Sequence, residues 1–292
     1  MIVPWDGGVV NAEGEVLVRP GYDARRRNRH WGTAARGHGS DNRLVVPSVR
    51  SELGAISWRS WPGVPVQRVG AHRTVHREIA GKLWTFVVER TNPDSWHACS
   101  VDDLARMLSL IPVRFHERLD LVVLHQPTRK YRQLHGAWGQ LCYSVEIGPL
   151  DGAAIVLHAF PATSSWPFRR GRGLTSDDQW ELERLRQDGH PIARRGRKLT
   201  IHATRQTVRN TQLYRTLPHE IGHWIDFTEE ARRDDQKERP AREREHSAHR
   251  YADAVRGWLT RNGDVPFPQM IDRESLLADR LDPGDFIPPD IP

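Results

Sequence analysis

The sequence predicts an α+β protein, and three observations carry that expectation. Strand signals dominate residues 1–95; from about residue 100 helix-patterned and strand-patterned segments alternate; and the last third is mostly helical in pattern. At 292 residues the chain has room for one large domain or two modest ones, with a substantial buried core. Hydrophobic residues make up 38%, and 11 tryptophans with apolar runs such as Leu121-Val122-Val123-Leu124 and Ala154-Ile155-Val156-Leu157 exclude disorder throughout. No window approaches the length of apolar chain that spans a bilayer, and the opening MIVPWDGGVV lacks the basic and apolar regions of a secretory signal, so a cytoplasmic protein without a membrane span is expected. Cys99 and Cys142 are too few for a disulfide framework or a thiolate zinc knuckle. Any metal must therefore be held by histidine and carboxylate.

The elements follow in chain order. "GVVNAEGEVLV" places two β-prone runs around Asn11 to Gly14, a hairpin signal, and "KLWTFVVER" reads as a strand, with a Gly/Arg/Pro-rich stretch between them. "SVDDLARMLSLI" is a helix capped by Ser100 and closed by Pro112. "LDLVVLHQ" (119–126) reads as a buried strand, and "QLCYSVEI" and "AAIVLHAF" flank the turn "GPLDG" as a hairpin. "SDDQWELERLRQDG" is a helix stopped by Gly189 and Pro191, and "KLTIHATR" is a short strand. From Thr211 through Phe227 the chain is helix-compatible, with Pro218 starting a turn or kinking one, since it has no N–H for the i−4 bond. The last strong helix is "REHSAHRYADAVRGWLTRNG". The expected division is a β-rich, basic accessory region at 1–95, a second domain at 96–265 and a Pro-rich, extended tail at 266–292.

The net charge of +6 is unevenly placed. Residues 1–90 hold 14 Lys/Arg against 8 Asp/Glu, leaving 29 of each in the remainder. Within that basic excess, "DARRRNRHWG" (23–32) offers arginine forks and a tryptophan to nucleic acid or an anionic surface; the alternative is a solvated basic loop.

The densest chemistry lies in "LPHEIGHWIDF" (217–227). Residues four apart share one helix face, so His219 and His223 can converge on a single ion. Glu220 projects about 100° round the helix, where it reaches a water without ligating the metal. Gly222 lets a neighbouring element approach. This is the content of HExxH, in which zinc acidifies a water and the glutamate accepts its proton. Composition alone would yield the pattern roughly 0.04 times in such a chain, so context decides. A catalytic zinc needs a third protein ligand, with the fourth position left to water. The helix starting near Arg242 supplies candidates in Glu245 and His249, which border its apolar face one turn apart, whereas Glu243 and His246 point away from it. Asp253, a further turn on, is placed to accept the outer N–H of a ligating imidazole. His249 with Asp253 is the preferred pair, Glu245 the alternative ligand, and a site without a third ligand the remaining alternative.

These motifs resemble the gluzincin metallopeptidases, specifically the group similar to the catalytic domain of anthrax lethal factor. "HEIGHWID", which includes Asp226, is similar to that group's HExGHxxD, and "HRYADAVRGWL" to its third-ligand helix, over about residues 100–262. The resemblance implies a zincin-like domain: a twisted sheet, an active-site helix and a third-ligand helix. It implies Zn2+ held by His219, His223 and His249, Glu220 as general base, and Asp253 and Asp226 as carboxylates supporting the site. The chain departs from the group twice. His249 stands where the group has glutamate, and Arg242 where it has the tyrosine that stabilises the oxyanion, a role arginine also suits. The layout of residues 1–108, with "VVNAEGEVLV", "HWG" and "SVRSELG", is also similar to a Nudix domain. Only Glu52 stands where Nudix enzymes carry their metal-binding glutamates, which leaves a non-catalytic module or an unrelated β-rich extension.

The expected function is hydrolysis of a peptide bond in a protein or peptide substrate by a zinc-dependent metallopeptidase. The alternatives are a zinc amide hydrolase acting on a small molecule, and a nucleic-acid or protein binding module with a vestigial metal site. One hairpin strand should form the sheet edge at the cleft, where an extended peptide pairs by strand addition. Trp166, Trp180 and Trp224 are candidate walls, with burial in the core as the alternative. His125, His135 and His158 lack ligand spacing and read as surface or core groups.

Overall fold

The computed structural model describes residues 48–51, 54–57, 69–128, 131–132, 137–161, 165–168, 174, 176–196, 198–232 and 240–287. The expected hairpin around Asn11, the basic stretch 23–32, Glu52, His135 and residues 288–292 lie outside them. The described chain is α+β.

Two short strands, β1 (Ser48–Ser51) and β2 (Gly54–Ser57), pair antiparallel. Next come β3 (His72–Ile79), β4 (Lys82–Glu89), β5 (Ser95–Trp96) and the first helix, α1 (Val101–Leu110). They are followed by β6 (Leu121–His125) and the hairpin β7 (Gly139–Ile147) and β8 (Leu150–His158). A five-stranded sheet is ordered β3-β4-β6-β8-β7, with β4, β6 and β8 parallel and the edge strands β3 and β7 antiparallel to their neighbours. Helix α1 is the crossover that a parallel β4–β6 pair requires. Ser100 caps it, accepting from the Asp103 N–H while the Asp103 carboxylate accepts from the Ser100 N–H.

The apolar runs of β6 and β8 have a topological cause. Central parallel strands are covered on both faces and so lose the polar alternation of a half-exposed strand. Phe86, Val122, Leu124, Ile155 and Leu157 join the main core beneath the helices, and the alternate residues Val87, Val123, Ala154 and Val156 form a second cluster on the other face. β3 carries the opposite pattern. Only Val75 and Ile79 point inward from "HRTVHREI", and this charged edge strand was not foreseen in the sequence. Its pairing with β4 also bears on the expected boundary at residue 95. The sheet runs through it, because β4 before the boundary pairs with β6 after it.

Beyond the sheet lie β9 (Phe160–Pro161) and β10 (Ser165–Phe168), then α2 (Ser176–Gln187), β11 (Ile192–Arg195) and β12 (Lys198–His202). β9 pairs with β5, and β10, β12 and β11 make an antiparallel three-stranded sheet. Helix α3 (Arg205–Thr211) runs through a π turn, Gln212–Thr216, into α4 (Leu217–Arg232). The π turn sits just before Pro218, whose missing N–H and ring are incompatible with a regular α-helical bond there. A wider turn resolves the conflict without ending the helix. Helix α5 (Ala241–Asn262) ends on Gly263 in the left-handed conformation at φ 76°.

The C-terminal segment is folded rather than extended. Asp272 caps the short helix α6 (Arg273–Ala278), and Leu276, Leu281 and Phe286 are buried in the main core. A fully buried pair, Arg209 with Asp103, clasps this segment: Arg209 donates to Asp103 at 2.7 and 3.1 Å and to the carbonyls of Phe267 and Pro268, and Asp103 accepts from the Met270 N–H. Apolar residues spaced between the prolines explain the difference from a plain tail. Among the described residues, no helix is long and apolar enough to cross a membrane.

Candidate metal centre

The HExxH segment occupies the first turns of α4, as its spacing requires. Nε2 of His219 and Nε2 of His223 lie 3.1 Å apart, with the rings edge to face. Helix α5 packs across α4 at Gly222. A β-carbon there would lie 2.8 Å from the Ala248 Cα and 3.1 Å from its carbonyl oxygen, so the close approach depends on glycine. Ala248 at the crossing sets its neighbours over the histidines. Glu245 places one carboxylate oxygen 3.5 Å from His219 Nε2 and the other 3.4 Å from His223 Nε2. The His249 ring centroid is 4.3 Å from that of His219. Among the described residues, His219, Glu245 and His249 form a group whose ligand atoms all lie within 4.8 Å of one another.

Glu245 is thus brought to both histidines of α4, and His249 to His219. Nδ1 of His249 is buried with no hydrogen-bond partner among the described residues, a costly arrangement for a ring nitrogen that remains only a hydrogen-bonding group, whereas in His219 it is Nε2 that faces His223 and Glu245. Burial, then the charges of His219 and Arg184, push the His249 pKa down to about 3, which keeps its imidazole neutral. Burial also works against charge on His223, yet the hydrogen bond to Glu245 and the charges of Glu220 and Glu245 outweigh it and raise the pKa. Burial opposes the Glu245 carboxylate as well, but its bonds to His219 and His223 hold it well below the usual range. The point between these groups attracts positive charge. The imidazoles of His219 and His249 and the Glu245 carboxylate, with His223 Nε2 3.1 Å from His219 Nε2 and with Cys99 and Cys142 both buried and outside the group, are a donor set that fits zinc.

Glu220 is 5% exposed, and its charge is felt at His223 and at Cys142, whose thiol is pushed up to about 12 by burial first and then by Glu220. Arg242 is exposed in the first turn of α5, on the wall of a cavity that also includes Glu245 and His249. Asp226 is buried within α4. Asp253 differs from expectation. Its side chain is half exposed and accepts from Arg184 Nη2 at 3.2 Å, so it ties α5 to α2 rather than orienting a histidine. Trp224 belongs to the core, whereas Trp180 is 56% exposed on the cavity wall. His125 and His158 are buried, the first bonded to Glu89 at 2.5 Å and the second to the Ala137 carbonyl.

Sequence reasoning missed the frame that holds the helices in place. Asp188, fully buried just past α2, faces Arg215 of the π turn at 3.0 Å and Arg256 of α5 at 2.6 Å, and accepts from Thr211. Arg215 also donates to both oxygens of Glu181 in α2 at 2.8 Å. One carboxylate thereby fixes three elements around the centre. No local signal marks Asp188, because its partners are 23, 27 and 68 residues away in sequence.

Compared with known proteins, the chain matches no family model, no curated protein and no solved structure. The functional reading therefore rests on the chain's own residues.

Proposed function

We propose that this chain is a zinc-dependent metallopeptidase of the HExxH type, with a zincin-like arrangement of sheet and helices. The observation that carries the reading is the approach of two α5 side chains to His219 and His223, one turn apart on α4, beside a cavity: Glu245 faces both histidines and His249 lies against His219. His219, His223 and His249 would hold the ion. A zinc ion held there would supply the Lewis acidity that activates water and an amide carbonyl. Glu220, on the same helix turn, accepts the proton of the attacking water and passes it to the leaving amine. Arg242, exposed on the wall of that cavity, would donate to the oxygen on which negative charge develops. Among the described residues the edge strand β7 pairs only with β8, and α4 packs against it, which suits alignment of an extended substrate by strand addition.

The test is elemental analysis of the purified full chain, followed by cleavage of an unfolded protein substrate. About one zinc per chain is expected. Glu220→Gln should keep that zinc and lose activity by on the order of 10²- to 10⁴-fold. A chain that carries no zinc, or a Glu220→Gln variant that cleaves like the parent, removes the assignment.

A further inference from the structure

Helices α2 and the first half of α5 enclose a cavity of about 840 Å³ that opens onto Glu245 and His249. Three arginines line it: Arg184, Arg242 and Arg250. The carboxylates on its walls are largely committed. Glu181 is held by Arg215 through both oxygens, and Glu245 faces His219 and His223. Arg184 shares its charge with the half-exposed Asp253. Arg242 and Arg250 are exposed and pair with no carboxylate among the described residues, with Glu243 and the half-exposed Glu245 on the same wall. Trp180 adds an exposed aromatic face to the same wall. A second cavity of about 760 Å³ shares Trp180 and Arg184 with the first, giving room for several residues of extended chain.

We propose that this cleft selects peptides with an acidic residue beside the scissile bond, with Arg250 receiving the carboxylate and Trp180 packing against the neighbouring stem. The proposal rests on the peptidase reading of the adjoining centre. Planar guanidinium groups bind carboxylates through two parallel bonds. Phosphate would satisfy the same forks. Confinement between two helices, an aromatic wall and the retained Glu243 favour a single extended peptide over a nucleic-acid backbone.

The experiment separates binding from turnover. Fluorescent peptides of one length, bearing Asp/Glu, neutral or Lys/Arg residues, are titrated by anisotropy against the full-length Glu220→Gln chain loaded with zinc, alongside a single-stranded oligonucleotide. The acidic peptide should bind roughly tenfold tighter than the neutral one and weaken with salt. Arg250→Glu in the same background should abolish that preference while zinc content stays at the parental level. Equal binding of all peptides overturns the proposal, as does a preference that survives Arg250→Glu, which would place the acid-binding surface elsewhere on this basic chain. Oligonucleotide binding tighter than acidic-peptide binding, and lost with Arg250→Glu, overturns it in favour of a nucleic-acid site. Cleavage by the parental chain is scored separately. Acidic preference without cleavage sinks the peptidase reading alone, and Glu220-dependent cleavage blind to charge sinks the specificity alone.

Discussion

His249 and Glu245 compete for one role, and their surroundings differ. His249 is partly buried, neutral and left with an unpartnered Nδ1, whereas the Glu245 side chain is 57% exposed and must be ordered to ligate. His249→Ala is therefore expected to lose stoichiometric zinc on dialysis against a weak chelator. Glu245→Ala should retain it with lower affinity. The opposite result would make Glu245 the third ligand and would give the site the His₂Glu donor set. At this scale the sequence was informative: the spacing of His219, Glu220 and His223, and the choice between two named partners one turn apart, were both readable. The role of Asp253 was not. Helical spacing put it one turn past His249, but side-chain direction and the competing charge of Arg184 on α2 decided its partner.

The contact between α4 and α5 is the element-scale determinant of the centre. Gly222 permits it, and Ala248 fills the space a larger residue would deny. Gly222→Ala should improve intrinsic helix propensity by up to about 1 kcal/mol. The added methyl meets backbone atoms at 2.8 and 3.1 Å, which cannot rotate aside. The helices must separate, and a net loss of roughly 1–3 kcal/mol in urea unfolding is expected. Zinc affinity should fall as well, since His249 and Glu245 retreat from the histidines together. A variant as stable as the parent with unchanged zinc content would show that the approach is not tight. Pro218 illustrates a half-legible feature. Its incompatibility with a regular helix was plain in the sequence, but the answer, a π turn upstream rather than a break, depends on the packing of Leu213, Tyr214 and Leu217 into the core.

Across the whole molecule, buried histidines make stability depend on pH. His97, His116 and His190 are each pushed below the ordinary value of 6.5 by burial, only partly offset by their bonds to the carbonyls of Glu89, Ile111 and His202. The unfolded chain, with pKa values near 6.5, then binds more protons than the folded one as pH falls. Stability attached to these groups is complete above about pH 6.5 and is lost as pH drops toward the lower folded values. The urea midpoint should decline from pH 6.5 to pH 5, with the raised pKa of His223 contributing in the opposite sense. His97→Gln should make that decline shallower. A midpoint that is flat down to pH 5 would contradict the burial of these rings.

By itself the sequence determined the periodic elements and the candidate donor pair within one helix, because both depend on residues a few positions apart. Ser100 capping α1, the continuous apolar runs of β6 and β8, the turn after Ile147 and the HExxH face of α4 are all of this kind. The tertiary structure decided what depends on distant residues. It joined β3 and β4 to the sheet across residue 95, folded the Pro-rich segment back onto the Arg209–Asp103 pair, and gathered Arg215 and Arg256 around Asp188. It also set Arg184 and Arg250 facing one cavity from different helices. Ion pairs and helix crossings carry no periodic signature. Their partners are chosen by the shape of the packed chain, where the cost of burying an unpaired charge is settled.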